Sequence, residues 1–209
     1  MFITFEGSEG SGKSTQIAML STYLTELGYQ IQTTREPGGT LIGEQVRLCL
    51  HDVANTEMTS AAEVLLYSAS RSQLVEEVIK PALTVGKIVL SDRYADSTLA
   101  YQGYGRQLDL VALSSITQFA TGGLKPDLTI YLDIDVEEGL SRRTTGGEEM
   151  NRMDLQQVEF YQRVRQGYLT LAAAEPDRWT IVDAGRPAGV VQDDIRRCLV
   201  AFLGPAATG

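Results

Sequence analysis

Histidine, cysteine and tryptophan are scarce: 209 residues contain one His, two Cys and one Trp. His51 stands between an apolar run and Asp52 with no second imidazole nearby. Catalysis or metal binding by histidine is therefore not expected, and His51 is assigned to the surface. Cys49 and Cys198 show no C-x-x-C or Cys/His spacing, which argues against a disulfide scaffold or a zinc module. They fit a reduced cytoplasmic protein with two buried thiols. Long hydrophobic runs are missing too. No stretch approaches the ~18 apolar residues of a membrane span, and MFITFEG lacks the basic segment and apolar stretch of a secretory signal. Positive charge is in deficit, with 18 Lys and Arg against 27 Asp and Glu and a net charge of −9. Proteins that grip nucleic acid or anionic membranes are usually basic, so neither partner is expected. A small phosphate ligand stays open, because a few cations and backbone N–H groups suffice to bind one.

With 43% hydrophobic and 22% charged residues, the composition is globular, and no linker or repeat divides the chain. One domain over residues 1–209 is expected. Short apolar strands are predicted at Phe2–Glu6, Tyr29–Thr34, Ile88–Leu90, Leu128–Leu132 and Trp179–Val182. Helical spacing separates them: Ile17 to Leu27, a helix through Val46 and Leu50, Ser60–Ile79 with Pro81 kinking or restarting it, Asp109–Thr121, a short helix reaching Arg143, Leu155 to Leu171, and Val191 to Phe202. The tail GPAATG is expected to fray. Parallel crossovers need helix-length connections, so the fold class is α/β, a five-stranded parallel sheet flanked by helices. Ligands in such sheets bind beyond the carboxyl ends of the strands. The loops Gly7–Ser14, Arg35–Thr40, Asp92–Gln102 and Asp183–Pro187 should then converge on one edge.

Gly7-Ser8-Glu9-Gly10-Ser11-Gly12-Lys13-Ser14 matches Gly-x-x-x-x-Gly-Lys-Ser/Thr between a strand and a helix. Such a P-loop wraps backbone N–H groups around a phosphate, with Lys13 on the β- and γ-phosphates and Ser14 toward Mg²⁺. No Asn-Lys-x-Asp specifies guanine and Asp92 begins no Asp-x-x-Gly, which leaves a small phosphotransferase as the strongest class. Arg35 and Arg93 end strands and Arg71 lies on the helix between them, a cluster suited to bidentate phosphate binding. Asp92 is placed to hold the Mg²⁺ shell. Glu6 could share that task or form a structural salt bridge.

GSEGSGKST, TREPGGT, YSASRSQL, SDRYADSTLAYQG and PDLTIYLD, in this order and spacing, resemble the thymidylate kinase family, and the resemblance covers Met1 to about Asp183. It implies a P-loop nucleoside monophosphate kinase fold with a mobile lid, transfer of the ATP γ-phosphate to dTMP, and a homodimer. By position it implies that Gly7, Ser8, Glu9, Gly10, Ser11, Gly12, Lys13, Ser14 and Thr15 hold ATP. It places Arg35 and Arg93 on the dTMP phosphate, Arg71 on thymine and Tyr67 stacked on the base. Tyr67 also suits ordinary core packing. Ser97, Thr98 and Gln102 fall where the family reads the base edge or positions the nucleotide, and Tyr101 where it disfavours a 2′-OH. Glu6 is grouped with the dTMP site and, with Ser14 and Asp92, with the metal.

Transfer to an anionic phosphate oxygen needs no general base, so catalysis rests on Lys13, Mg²⁺ and arginines. None of Ser8, Glu9, Gly10 and Ser11 is basic, which resembles the bacterial branch whose lid supplies the arginine. The lid is placed at about 142–153, a surface loop whose centre TTGGEE is acidic. Of Arg142, Arg143 and Arg152, Arg143 is preferred for the transferring phosphoryl group, with Glu9 organising lid arginines or water. Two other readings stand beside this one: a deoxynucleoside or other nucleoside monophosphate kinase, and a non-catalytic ATP-binding switch.

Overall fold

The computed structural model describes residues 1–146 and 151–203. Five strands, β1 (Phe2–Glu6), β2 (Ile31–Arg35), β3 (Ile88–Asp92), β4 (Leu128–Asp133) and β5 (Trp179–Asp183), run parallel in the order β2-β3-β1-β4-β5. β1, β3 and β4 are buried almost throughout, whereas the outer β2 and β5 are partly exposed. Helices on both faces explain why the inner strands read as continuous apolar runs rather than alternating ones.

The helices are α1 (Lys13–Glu26), α2 (Leu41–His51), α3 (Ser60–Leu74), α4 (Lys80–Thr84), α5 (Ala95–Thr98), α6 (Leu110–Thr121), α7 (Val136–Thr145), α8 (Val158–Ala174) and α9 (Ala188–Leu203). Several starts are fixed by side-chain caps. Thr40, Thr59 and Asp109 accept from backbone N–H groups two or three residues into α2, α3 and α6, and Asp135 does so for α7. Strand alternation divides the core. Ile3 and Phe5 of β1 join Leu20, Leu24, Ile195 and Leu199 of α1 and α9, while Phe2 meets Leu74, Val75 and Tyr94 on the other face. Each fully buried large aliphatic or aromatic side chain contributes roughly 1.5–3 kcal/mol. Among the described residues no helix is long and apolar enough to cross a membrane.

Several predicted boundaries shift. β2 starts at Ile31 because Tyr29 N–H closes the end of α1 on Leu24 O at 3.1 Å and is lost to the sheet. The helix expected over Ser60–Ile79 widens into a π-type turn at Val75–Ile79, where Lys80 N–H reaches Val75 O. Pro81 follows at once, and its missing donor and bulky ring disfavour a regular turn there. The expected loop through Gln102 folds as α5 and a second π-type turn, Leu99–Gly105. Its packing on α8 is so close that a Cβ at Gly105 would lie 2.6 Å from Phe160. Finally, α8 begins at Val158, after a 3₁₀ turn at Arg152–Leu155 held by a capping box between Asn151 and Asp154. The tail from Gly204, and residues 147–150 at the lid centre, lie outside the described residues. Both cysteines are unpaired, but Cys49 is exposed and Cys198 half-buried, so the expectation of two buried thiols fails.

Candidate active site

β1 and β3 end side by side, with Phe5 opposite Asp92, and each hands the chain to a phosphate-competent turn. After β1 the P-loop closes on itself: Lys13 Nζ donates to Gly7 O at 3.0 Å, Ser8 O at 2.9 Å and Ser11 Oγ at 3.3 Å. Ser14 Oγ donates to Asp92 Oδ2 at 2.8 Å, joining a P-loop hydroxyl to the β3 carboxylate. Gly10, at φ +71°, is pressed against α7, and a Cβ there would meet Gly139 O at 2.0 Å. The loop and the base of α7 therefore pack backbone to backbone.

After β3, Arg93 adopts φ +71°, a left-handed conformation that costs a side-chain-bearing residue of order 1–3 kcal/mol. The bend lets Nη1 donate to Gly7 O at 3.0 Å and Nη2 to Glu9 Oε1 at 2.8 Å, with the guanidinium 4.8 Å above the Tyr101 ring. Tyr101 OH donates to the other Glu9 oxygen at 2.7 Å.

These groups line one cavity of about 610 Å³, within the usual range for ligand sites. Glu9, Gly10, Gly12, Lys13, Ser14, Thr15 and Asp92 face it, while Gly7, Ser8 and Ser11 form the loop behind. Arg35, Tyr67, Arg71, Arg93, Ser97, Thr98, Tyr101 and Gln102 also line it, as do Arg142 and Arg143. Arg71 is buried, and each of its guanidinium nitrogens has a protein partner: Nε donates to Glu36 Oε2 at 2.8 Å, Nη1 to Thr98 Oγ1 at 2.9 Å and Nη2 to Tyr94 O at 3.1 Å. Burial alone would lower its pKa, but the Glu36 carboxylate beside it raises it, so the guanidinium stays charged. Tyr67 lies one helical turn before Arg71, and burial with the nearby Glu63 pushes its hydroxyl up to about 12, keeping it neutral.

The thymidylate kinase family model matches residues 5–195. The chain belongs to the thymidylate kinase family. A thymidylate kinase of Geotalea daltonii is 54% identical over 88% of this chain and 89% of its own. One from Roseiflexus sp. is 49% identical over 97% of this chain and 95% of its own. The crystal structure of thymidylate kinase from Ehrlichia chaffeensis superposes with a TM-score of 0.77 at 35% identity, covering 95% of this chain and 98% of that one.

Within this family framework several residues sit elsewhere than the sequence suggested. Glu6 does not face the cavity. Its side chain is fully buried, and its oxygens accept from Tyr94 N–H, Ser97 Oγ and Tyr168 OH at 2.9, 2.5 and 2.8 Å. Burial and the Asp96 charge raise its pKa to about 7. It is thus removed from the metal and nucleotide-contact candidates. Glu9 holds Arg93 and Tyr101 instead of lid arginines. Arg152 is buried on Glu63 and donates Nε to Leu50 O at 3.0 Å, which takes it out of the lid candidates. Arg142 and Arg143 lie in the last turn of α7, in line with the short helix expected to reach Arg143, although the expected lid loop begins at 142. Among the described residues none of Asp183–Pro187 lines the cavity, and the loop is tied to it by Arg142, which donates to Ala184 O at 3.0 Å and Gly185 O at 3.3 Å.

His51 is half-buried in the cavity wall, not on the open surface, and burial with the Arg47 and Arg93 charges lowers its pKa to about 4. Arg47, one turn earlier on α2, also lines the cavity. The four-residue spacing of these two polar groups was the only local sign.

Burial and the Arg93 charge pull Lys13 down to about 8. A bound polyphosphate stabilises the charged amine, so ATP binding near pH 8 should take up a proton, and the affinity should weaken as pH rises through that range. Calorimetry in two buffers of different ionisation enthalpy checks this; a binding enthalpy independent of buffer at pH 8 contradicts it.

Proposed function

We propose that this chain is a cytoplasmic, single-domain dTMP kinase that transfers the γ-phosphate of ATP to dTMP, giving ADP and dTDP. One observation carries the reading. Gly7 O accepts from both Lys13 Nζ and Arg93 Nη1, each at 3.0 Å, so the ATP-side and dTMP-side cations, which both line the one cavity, meet on a single carbonyl just behind it. That is where two phosphate groups must be brought together.

In this reading Gly7 to Thr15 hold ATP. Arg35 and Arg93 take the dTMP phosphate, with Arg47 beside them, and Tyr67, Arg71, Ser97, Thr98, Tyr101 and Gln102 enclose the nucleoside. The dTMP phosphate is largely dianionic at neutral pH, its second pKa being about 6. One of its oxygens attacks the γ-phosphorus in line, the bond from that phosphorus to the β–γ bridging oxygen breaks, and the electron pair leaves with ADP. No side chain needs to remove a proton. Lys13, Arg93 and Arg143 offset the charge that the two nucleotides bring together. Among the described residues no cluster of three or more His, Cys, Asp or Glu is arranged to hold a metal. The Ser14–Asp92 oxygen pair nonetheless suits Mg²⁺, which takes few protein ligands beside water and phosphate. Bound there, it would supply neutralisation of phosphate charge.

Coupled ADP release with thymidine, dTMP, dUMP and CMP as acceptors tests the function. Preference for dTMP is expected; preference for thymidine rejects the monophosphate reading, and slow release indifferent to dTMP favours the switch.

A homodimer is the state that the exposed apolar surface supports. Val111 and Phe119, two turns apart on α6, are 75% and 88% exposed, and Leu65 on the neighbouring α3 and Leu48 on α2 are exposed as well. Large apolar side chains exposed on neighbouring helices mark a candidate interaction surface. Phe119→Asp combined with Val111→Asp should convert a sedimenting dimer into a monomer. A wild-type protein already monomeric at micromolar concentration contradicts the proposal.

A further inference from the structure

The Gln102 amide has two ends of opposite hydrogen-bonding sense, and only one is engaged by the protein. Its Nε2 donates to Glu63 Oε1 at 2.8 Å, and both side chains are buried. Among the described residues none donates to Gln102 Oε1, while Gln102 itself lines the cavity. Glu63 lies behind the cavity wall. Arg106 grips it through Nε to Oε1 at 2.6 Å and Nη2 to Oε2 at 2.8 Å, and Arg152 donates to Oε2 as well. Burial would raise the carboxyl, but these donors outweigh it and hold Glu63 below the usual range. An ionised carboxylate only accepts.

We propose that Glu63 is a specificity-determining positioning residue: by accepting from Gln102 Nε2 it turns the amide oxygen toward the base, so that the pocket selects a pyrimidine bearing an N3–H. This rests on the assignment of Gln102 to the base pocket made above. Thymine offers N3–H to that oxygen. A cytosine ring presents a lone pair at N3, and the amide cannot turn to suit it, because turning would set Oε1 against the Glu63 carboxylate. The penalty against cytosine is thus set by a residue that never touches the nucleotide, and Arg106 and Arg152 preserve it by keeping Glu63 charged.

The test compares kcat/KM for dTMP and 5-methyl-dCMP, which share ring, methyl, sugar and phosphate and differ only at N3 and position 4. In Glu63→Gln the side chain at 63 can donate or accept, and the Gln102 amide is released. The dTMP to 5-methyl-dCMP ratio should fall roughly tenfold or more. A purely structural role would lower both substrates together and leave the ratio unchanged. That outcome, alongside a reduced ratio in Gln102→Leu, overturns the Glu63 proposal while sparing the assignment of Gln102. An unchanged ratio in Gln102→Leu overturns both. If Glu63→Gln does not fold, wild-type protein decides. The Gln102 side-chain NH₂, identified in amide NMR by its loss in Gln102→Leu, should resist solvent exchange without nucleotide, and free exchange overturns the proposal.

Discussion

Arg143→Ala is expected to lower kcat by about 10³-fold or more while changing the dTMP dissociation constant little. The expectation follows from where the side chain sits. Arg143 leaves the last turn of α7, lines the cavity, and lays its guanidinium along Asp154 at 3.1 and 3.0 Å. Arg152 does not line the cavity, and Arg142, which does, donates to the carbonyls after β5. Arg143, paired with Asp154 at the cavity wall, is proposed to stabilise charge on the transferring phosphoryl group. That charge arrangement exists only when both nucleotides are aligned, so the loss should appear in kcat and not in binding of dTMP alone. Steady-state kinetics with calorimetric dTMP titration measures both. An unchanged kcat transfers the role to Arg142. Arg143→Lys should recover only part of the rate, because a point charge does not replace a planar fork.

Lys13→Met should cost about 10²–10³-fold in kcat and weaken ATP binding as well. Lys13 already lies within the loop that would surround the polyphosphate, its amine held by the carbonyls of Gly7 and Ser8. On the proposed assignment it would meet the donor nucleotide in the ground state and continue to do so as the bond to the leaving oxygen breaks. The two variants should thus differ in kind: Lys13→Met raises the KM for ATP and lowers kcat, whereas Arg143→Ala chiefly lowers kcat. Initial rates over an ATP series at saturating dTMP separate them. Equal effects on both parameters in the two variants would show that lid and loop act as one unit.

How much of this was legible follows from the range over which each feature is encoded. The P-loop was readable because its determinants, glycines and a lysine between a strand and a helix, are contiguous. The inner strands were readable because burial on both faces leaves an uninterrupted apolar run. Arg35 was readable as the residue ending β2 and Arg93 as the one just past β3, since the carboxyl edge is fixed by the topology. Glu6 misled for a related reason: it ends its strand too, but its buried carboxylate is taken up by Tyr94 N–H, Ser97 and Tyr168. Arg47 and His51 depended on how α2 docks, which its sequence does not fix. Glu63 was invisible, since its partners Gln102, Arg106 and Arg152 lie 39, 43 and 89 residues away. Tyr29 was misread because one backbone donor was spent on closing a helix.

The tight fit of Gly10 on Gly139 bears on why the arginine proposed from α7 has no counterpart in the loop. No guanidinium can be installed at Gly10, where both the backbone angle and the facing carbonyl forbid any side chain. Ser8 and Ser11 are enclosed, and Glu9 already anchors Arg93 and Tyr101. Every variable seat in the loop is taken or walled off. Grafting an arginine into this loop should therefore dismantle the donor site before it could replace the one that α7 delivers.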